Sequence, residues 1–365
     1  MRVSCLTFHN SSNYGSILQS YALQQIVRSL GYEYDLIDYS NPEKYKYDSL
    51  LGKNDYLSWK GYAIKLASLP YNYIKRRKFA IFSQKYLNVA SPRFVRLSEL
   101  NNICDKYDFY ICGSDQVWNT TMVRYDPAYF LSFVKDNNKK IAYAASIGRV
   151  DLTDTDRIFY QDQLKNFDKI SVRESSAQQI LLECADKNAK VVLDPTLLFK
   201  PQQWYTLADC RTTPIKPYIL TYCLSYNSEI RSFIEKLRSR TGLKVIGISC
   251  SFIGMVREKV YTIPSPLEFV NLFSNASYIV TNSFHGTAFS ANLNRNFYTF
   301  IENKVQSTNS RIIDFLGMLG LQDRLMITCP QDGFDLTPPD FRKANLILDE
   351  KRKLSIEFLK QSLRN

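Results

Sequence analysis

The stretch YIVTNSFHGTAFSANLNRNF, residues 278–297, decides the fold. Tyr278 to Thr281 is an apolar, partly β-branched run of the kind that fills a buried strand. Asn282, Ser283, His285 and Gly286 follow, and a helix begins near His285. A further strand is expected at Asn296 to Ile301. Strand, polar turn, helix and strand in this order form the repeating unit of a parallel α/β sheet.

The same alternation extends outward in both directions. Towards the N-terminus, strands are expected at Tyr218 to Cys223 and Lys244 to Ser249, with helices at Ser228 to Arg240 and Pro266 to Phe273. Before Pro201, Pro214 and Pro217 lies another series. It has strands at Val3 to Phe8, Tyr34 to Ile37, Asp108 to Cys112, Lys140 to Ala144 and Lys169 to Val172, and a short VVL run stopped by Pro195. Ile17, Leu18, Tyr21, Ala22, Ile26 and Leu30 recur at helical spacing, and Gly31 ends that helix. A long helix is expected over roughly 60–86 after a Tyr- and Asn-rich loop at about 40–60, and another between Ser175 and Cys184. The tail from about Pro339 reads as a helix with Ile347, Leu354, Phe358 and Leu359 on one side. The expected fold is α/β, with two Rossmann-like domains of mainly parallel sheet: residues 1–205, residues 206–338, and a C-terminal helix over 339–365 crossing back to the first domain. Such a pair places a cleft between the carboxyl ends of two strand sets, where ligands usually bind.

Composition narrows the class. The chain has 365 residues, 45% of them hydrophobic and 22% charged, which is ordinary for a globular protein. Twenty-five tyrosines suit carbohydrate binding, but a plain core accounts for them more readily. Forty-seven Lys and Arg against 35 Asp and Glu give +12, which favours anionic partners. No zinc-finger spacing, RNP motif or long basic tail is present, so no nucleic-acid partner is expected. The basic runs Lys75 to Lys78 and Lys351 to Lys353 read as solvated helix faces. Eight cysteines without a C-x-x-C pair, several in apolar runs, read as buried free thiols of a reducing compartment. No secretory signal or apolar run of membrane-spanning length is seen. The expected location is the cytoplasm, with room for peripheral contact with an anionic inner-membrane surface.

Five segments carry polar residues where chemistry could occur. In residues 278–297, free N–H groups at a helix start can hold an anion, and His285 is placed for acid–base work. The alternative is Asn282 or Ser283 as a simple cap and His285 as a packed side chain, and the strand–polar–helix context favours the functional reading. In FYICGSDQVWN, residues 109–119, Ser114, Asp115, Gln116 and Asn119 offer donors and acceptors for hydroxyls, and Trp118 offers a stacking face; an ordinary turn is the alternative. HNSSNYGS, residues 9–16, surrounds a helix start with Asn13, Tyr14 and Gly15 but lacks a G-x-G-x-x-G or Walker pattern. Within it, His9 has no partner evident from sequence. Arg173 in KISVRESS ends a strand and could grip a carboxylate or phosphate, or form a surface pair with Glu174. Lys304 and Arg311 follow the strand ending near Ile301. No metal-ligand cluster is seen.

The segments NYGSILQSYALQ, CGSDQVWN, YAASIG, SVRESSAQQIL, VVLDPTLL, NSFHGTAFSANLNRNF and NSRIIDFLGMLGL, in this order and spacing, resemble the polysaccharide pyruvyl transferase family. The resemblance covers about residues 1–325, and CGSDQVWN and SFHGT are its most specific pieces. It implies a fold similar to the B-type glycosyltransferases and phosphoenolpyruvate as co-substrate, with no further cofactor. It also implies a sugar or lipid-linked oligosaccharide acceptor and a cyclic pyruvate ketal as product, as in bacterial capsule and exopolysaccharide synthesis. On this resemblance His285 and Asp115 are the catalytic candidates. Arg173, Ser283, Gly286, Thr287, Lys304 and Arg311 would bind the donor. Asn13, Tyr14, Gly15, Ser114, Gln116, Trp118 and Asn119 would bind the acceptor. Family branches carry an arginine two residues before the histidine; this chain has Ser283, and Arg173, Arg295, Lys304 or Arg311 would have to compensate. A nucleotide-sugar glycosyltransferase would use the same cleft, but it commonly holds ribose with a carboxylate, and between Asn282 and Lys304 only Glu302 is acidic. A catalytically silent glycan binder is the third reading.

Overall fold

The computed structural model describes residues 1–41, 59–165, 167–208, 217–258, 262–301 and 309–364. Among the described residues, twelve strands form two sheets in which every pairing is parallel. The first sheet has β1 (Arg2–Leu6), β2 (Glu33–Tyr39), β3 (Val89–Phe94), β4 (Phe109–Cys112), β5 (Lys140–Ala145), β6 (Lys169–Val172) and β7 (Lys190–Val191) in the order 3-2-1-4-5-6-7. The second has β8 (Tyr218–Tyr222), β9 (Lys244–Gly247), β10 (Tyr278–Thr281), β11 (Phe297–Phe300) and β12 (Leu325–Met326) in the order 12-11-10-8-9. Residues of β4, β5, β8 and β11 are buried throughout, as parallel strands covered on both faces must be. That is why they read as unbroken apolar runs.

The helices that matter below are α1 (Tyr14–Ser29), α2 (Trp59–Tyr86), α3 (Ser175–Ala185), α4 (Pro195–Leu198), α5 (Pro266–Asn275), α6 (Phe284–Asn292), α7 (Ser310–Leu319) and α8 (Arg342–Ser362). Each sheet reverses its direction of growth once, between β1 and β4 and between β8 and β10. Loops at such reversal points usually splay apart and leave a crevice at the strands' carboxyl ends. The segments after β4 and after β10 are two of the five in which the sequence places candidate chemistry. The halves share one apolar core: Tyr14 of α1 stacks on Phe269 of α5 at 4.6 Å and 11° between ring planes.

The last helix ties the halves together by named bonds. The backbone N–H of Leu193 donates to Ser355, Lys169 donates to the Ser362 carbonyl, and Tyr32 donates to the Leu363 carbonyl. Arg352 donates to the Leu197 carbonyl and to Asn292 at the end of α6. Its buried face is Ala344, Leu348, Phe358 and Leu359, while Leu354 is exposed, so the expected face is off by part of a turn. The basic runs are not wholly solvated either. Arg352 is buried by these bonds, Lys75 is buried against the Cys250 carbonyl, and Lys78 pairs with Glu268. Cys5, Cys112 and Cys223 are buried free thiols, whereas Cys104, Cys184, Cys250 and Cys329 are half-buried and free. The expected loop at about 40–60 and Lys304 fall mostly or wholly outside the described residues.

Candidate active site

Both reversal points deliver charged side chains to one place. After β4 comes Asp115, in a left-handed conformation at φ 80°. Its backbone is pinned to the end of β5 by a bond from the Ser146 N–H. Its carboxylate accepts from Ser16 Oγ at 2.5 Å and from the Gln116 N–H, and lies 3.9 Å from Arg173. After β6, Arg173 donates to Asp194 at 2.8 Å. After β10, Ser283 caps α6 and His285 is that helix's second residue. His285 Nε2 stands 3.6 Å from Asp194, and the other side of its ring packs on Gly15 of α1. Arg311, from the first turn of α7, completes the group; Arg173 and Arg311 lie over the Phe284 ring at 4.5 and 5.8 Å. Every member is buried, with at most a tenth of the residue exposed.

The electrostatics are uneven. Burial works against the Asp194 and Asp115 anions, but the charges of His285 and Arg173 outweigh it and hold both carboxyls below their usual value. Burial likewise opposes the Arg173 cation, but Asp194, Asp115 and Glu174 together raise it. At Arg311 burial and a like charge outweigh the support of the same three carboxylates. Burial, with the like charge of Arg173 next, brings its guanidinium down to about 10. Arg173 Nε and Nη2, Arg311 Nε and His285 Nε2 are buried without a hydrogen-bond partner. Unpaired buried donors are costly, and these four come from three strand–helix junctions, with the carboxylates of Glu174, Asp115 and Asp194 3.6–3.9 Å from those of Arg173 and His285.

Several expectations need correction. Trp118 offers no face to a sugar: it is fully buried, stacked on Phe130 at 5.1 Å, and donates to the Tyr129 carbonyl. Tyr14 is equally buried, its hydroxyl spent on the Pro264 carbonyl. Asn119 is buried as a cap bonded to the Thr121 N–H, and Gln116 accepts from Asn119. Ser114 is buried and supports the site from behind, within 3.1 Å of Asp194. Asn13 is exposed and caps α1 through the Ser16 N–H. On the donor side, Thr287 lies in the core bonded to Thr299 and the Ser283 carbonyl. Gly286 serves packing, since a β-carbon there would meet Thr281 Oγ1 at 2.2 Å. Arg295 is turned away, on the Leu293 carbonyl and Tyr205. The Arg173–Glu174 pair is present, at 3.9 Å, but it is buried rather than on the surface, and the other Glu174 oxygen accepts from Ser146 and the Ile147 and Gly148 N–H groups. His9 does have neighbours, Asp38 at 3.7 Å and the Thr7 carbonyl.

Asp194 is the residue sequence reasoning missed. Its signal was present, an acidic residue at a strand end before Pro195, but the same pattern marks a helix cap. Asp194 does both: one oxygen caps α4 at Thr196, and the other takes Arg173 and faces His285.

A second feature is a cleft that none of the cluster's charged side chains lines. It has a volume of about 1150 Å³ and runs between the ends of β1 and β2, the inner face of α2 and residues 250–252. His9, Asp38, Arg93, Lys75, Tyr71 and Phe252 are among its lining. Among the described residues, no group of three His, Cys, Asp or Glu side chains could hold a metal ion.

Two parallel sheets joined at their reversal points, with a charged cluster between them, define the B-type glycosyltransferase-like fold. A putative UDP-N-acetylglucosamine 2-epimerase from Listeria monocytogenes shares it, with TM-score 0.52 and 9% identity over 99% of this chain and 90% of that one. Also similar are the E. coli heptosyltransferase WaaC with ADP-2-deoxy-2-fluoro heptose (TM-score 0.40, 12% identity, 96% and 99% covered) and the Methanocaldococcus jannaschii UDP-GlcNAc 2-epimerase in complex with UDP-GlcNAc and UDP (0.46, 12%, 96% and 99%). At such identities the likeness is one of fold alone. The family is given by sequence: the family model for polysaccharide pyruvyl transferase matches residues 13–304, and the chain belongs to that family. Among curated proteins none matches it.

Proposed function

We propose that this protein transfers pyruvate from phosphoenolpyruvate to two hydroxyls of a sugar in a surface polysaccharide or its precursor, forming a cyclic ketal. The observation that carries the reading is the Arg173–Arg311 pair: two buried guanidiniums that repel each other and keep unpaired N–H groups. A small molecule bearing both a carboxylate and a phosphate satisfies both at once. Arg311 supplies the charge that Ser283 does not.

In the proposed reaction the methylene carbon gains a proton and becomes a methyl group. The two hydroxyl oxygens bond to the central carbon, and its bond to the phosphate oxygen breaks. Of the two hydroxyl protons, one is balanced by the new methyl hydrogen and the other leaves with phosphate. His285 moves these protons, with Asp194 stabilising the charged imidazole. Asp115, kept ionised and fixed by Ser16, orients a sugar hydroxyl. Arg173 and Arg311 stabilise the departing phosphate. The acceptor occupies the cleft beside α2, where polar groups alternate with Tyr71 and Phe252. The reaction belongs in the cytoplasm, where phosphoenolpyruvate is available.

Calorimetric titration tests the donor. Phosphoenolpyruvate should bind, inorganic phosphate more weakly, and UDP-sugars not at all. Binding of a UDP-sugar alone would replace this reading with nucleotide-sugar glycosyl transfer. Binding of neither, with binding of glycans, would make the protein a silent glycan binder.

A further inference from the structure

A helix on the surface of a globular protein normally turns polar residues outward. Helix α2 carries apolar residues on both its buried and its outward side. Its buried side is Ser68, Tyr71, Lys75, Phe79 and Phe82. Its outward side carries Tyr62, Leu66, Tyr73, Ile74 and Ile81, with Leu66 at 63%, Tyr73 at 59% and Ile81 at 54% exposed. Ala63, Ala67, Pro70 and Ala80 fill the same side, and its charged members are Arg77 and Lys85. At 100° per residue these positions fall within about 140° of arc, a single stripe roughly 30 Å long. The helix WKGYAIKLASLPYNYIKRRKFAIFSQKY contains Lys and Arg but no Asp or Glu. A contiguous apolar stripe of this size marks a contact surface rather than scattered exposure.

We infer that the outer face of α2 rests on an anionic lipid bilayer, lying in the plane of the interface. Apolar side chains among cations, with no acidic residue on the helix, complement acyl chains beneath negative headgroups. A second copy of the chain fits less well, because the same face of a second α2 brings more Lys and Arg and no Asp or Glu to pair with them. No described helix is long and apolar enough to cross the membrane, so the contact is peripheral. The inner face of α2 walls the cleft assigned above to the acceptor. If that assignment holds, the bilayer contact would present the cleft to a lipid-linked saccharide; the contact itself does not depend on it.

Flotation of the full chain with vesicles tests this without donor or acceptor, so its failure is distinct from failure of the proposed reaction. Vesicles of phosphatidylcholine with phosphatidylglycerol should carry the protein up, and vesicles of phosphatidylcholine alone should carry far less. L66E/I74E/I81E should reduce binding to anionic vesicles on the order of tenfold or more. R77E/K85E should remove the preference for anionic over neutral lipid. All five positions are exposed or line the stripe, and circular dichroism and melting would show that the variants fold. Equal binding to both vesicles, or none to either, overturns the inference. So does a dimer in light scattering that L66E/I74E/I81E converts to monomer, since the face would then belong to a second copy.

Discussion

A β-carbon at Gly15 would lie 2.0 Å from Nδ1 of His285, so the first helix of one half and the histidine of the other touch with no room for a methyl group. Gly15 sits inside α1, where alanine is intrinsically the better residue by about 1 kcal/mol. Gly15→Ala should therefore leave α1 intact and displace the imidazole. Turnover should fall ~10²–10⁴-fold, as for His285→Ala, if the histidine moves protons. Kinetics alongside a melting curve would check this, and full activity in a folded Gly15→Ala protein would remove His285 from the mechanism.

The two arginines should respond oppositely to removal. Arg173 balances Asp194 and Asp115, so Arg173→Met leaves buried anions uncompensated and should cost about 3–5 kcal/mol. Arg311 is a buried cation held below its normal protonation range, and Arg311→Met should be neutral or stabilising without ligand. The same variant should lose stabilisation by phosphoenolpyruvate. Denaturant melts with and without the compound separate these effects.

Acid should loosen the site in a defined direction. Asp115 and Asp194 have folded-state values below the ordinary carboxyl value of 3.8. Their contribution is complete above that value and disappears as pH falls through the lower folded values. Asp194→Asn should lower Tm at neutral pH and flatten the acid limb of a Tm–pH curve. It should also alter the pH profile of kcat through the loss of imidazole stabilisation. An unchanged profile would leave Asp194 a structural cap only.

Trp118 gives a negative prediction. Trp118→Phe should lower stability by about 1–3 kcal/mol through lost packing and the lost bond to Tyr129, and leave the acceptor KM unchanged. A raised KM with unchanged stability would return Trp118 to the sugar site.

What was legible in the sequence follows from where each residue sits. Strands such as FYIC and YILTY are covered on both faces and therefore unmistakably apolar. VASPRF of β3 lies at a sheet edge with exposed Ser91 and Pro92, and β12 is two residues long; neither carries a pattern. Asp115, Arg173 and His285 could be placed beyond strand ends from sequence because each follows an apolar run of parallel strand. Trp118 and Tyr14 misled because an aromatic beside polar residues looks the same whether it meets a sugar or a distant ring. Phe130 and Phe269, their actual partners, come from other elements. The uncovered stripe on α2 was invisible until the helix was seen to bury its other side.

The most direct test is one incubation of the protein with phosphoenolpyruvate and a panel of free and lipid-linked sugars, following phosphate release and the mass of each sugar together. The account predicts equal amounts of phosphate and of a sugar carrying one added pyruvate ketal, both lost in His285→Ala and Arg311→Met. Phosphate release without a modified sugar, or sugar modification that proceeds from a UDP-sugar and ignores phosphoenolpyruvate, would contradict it.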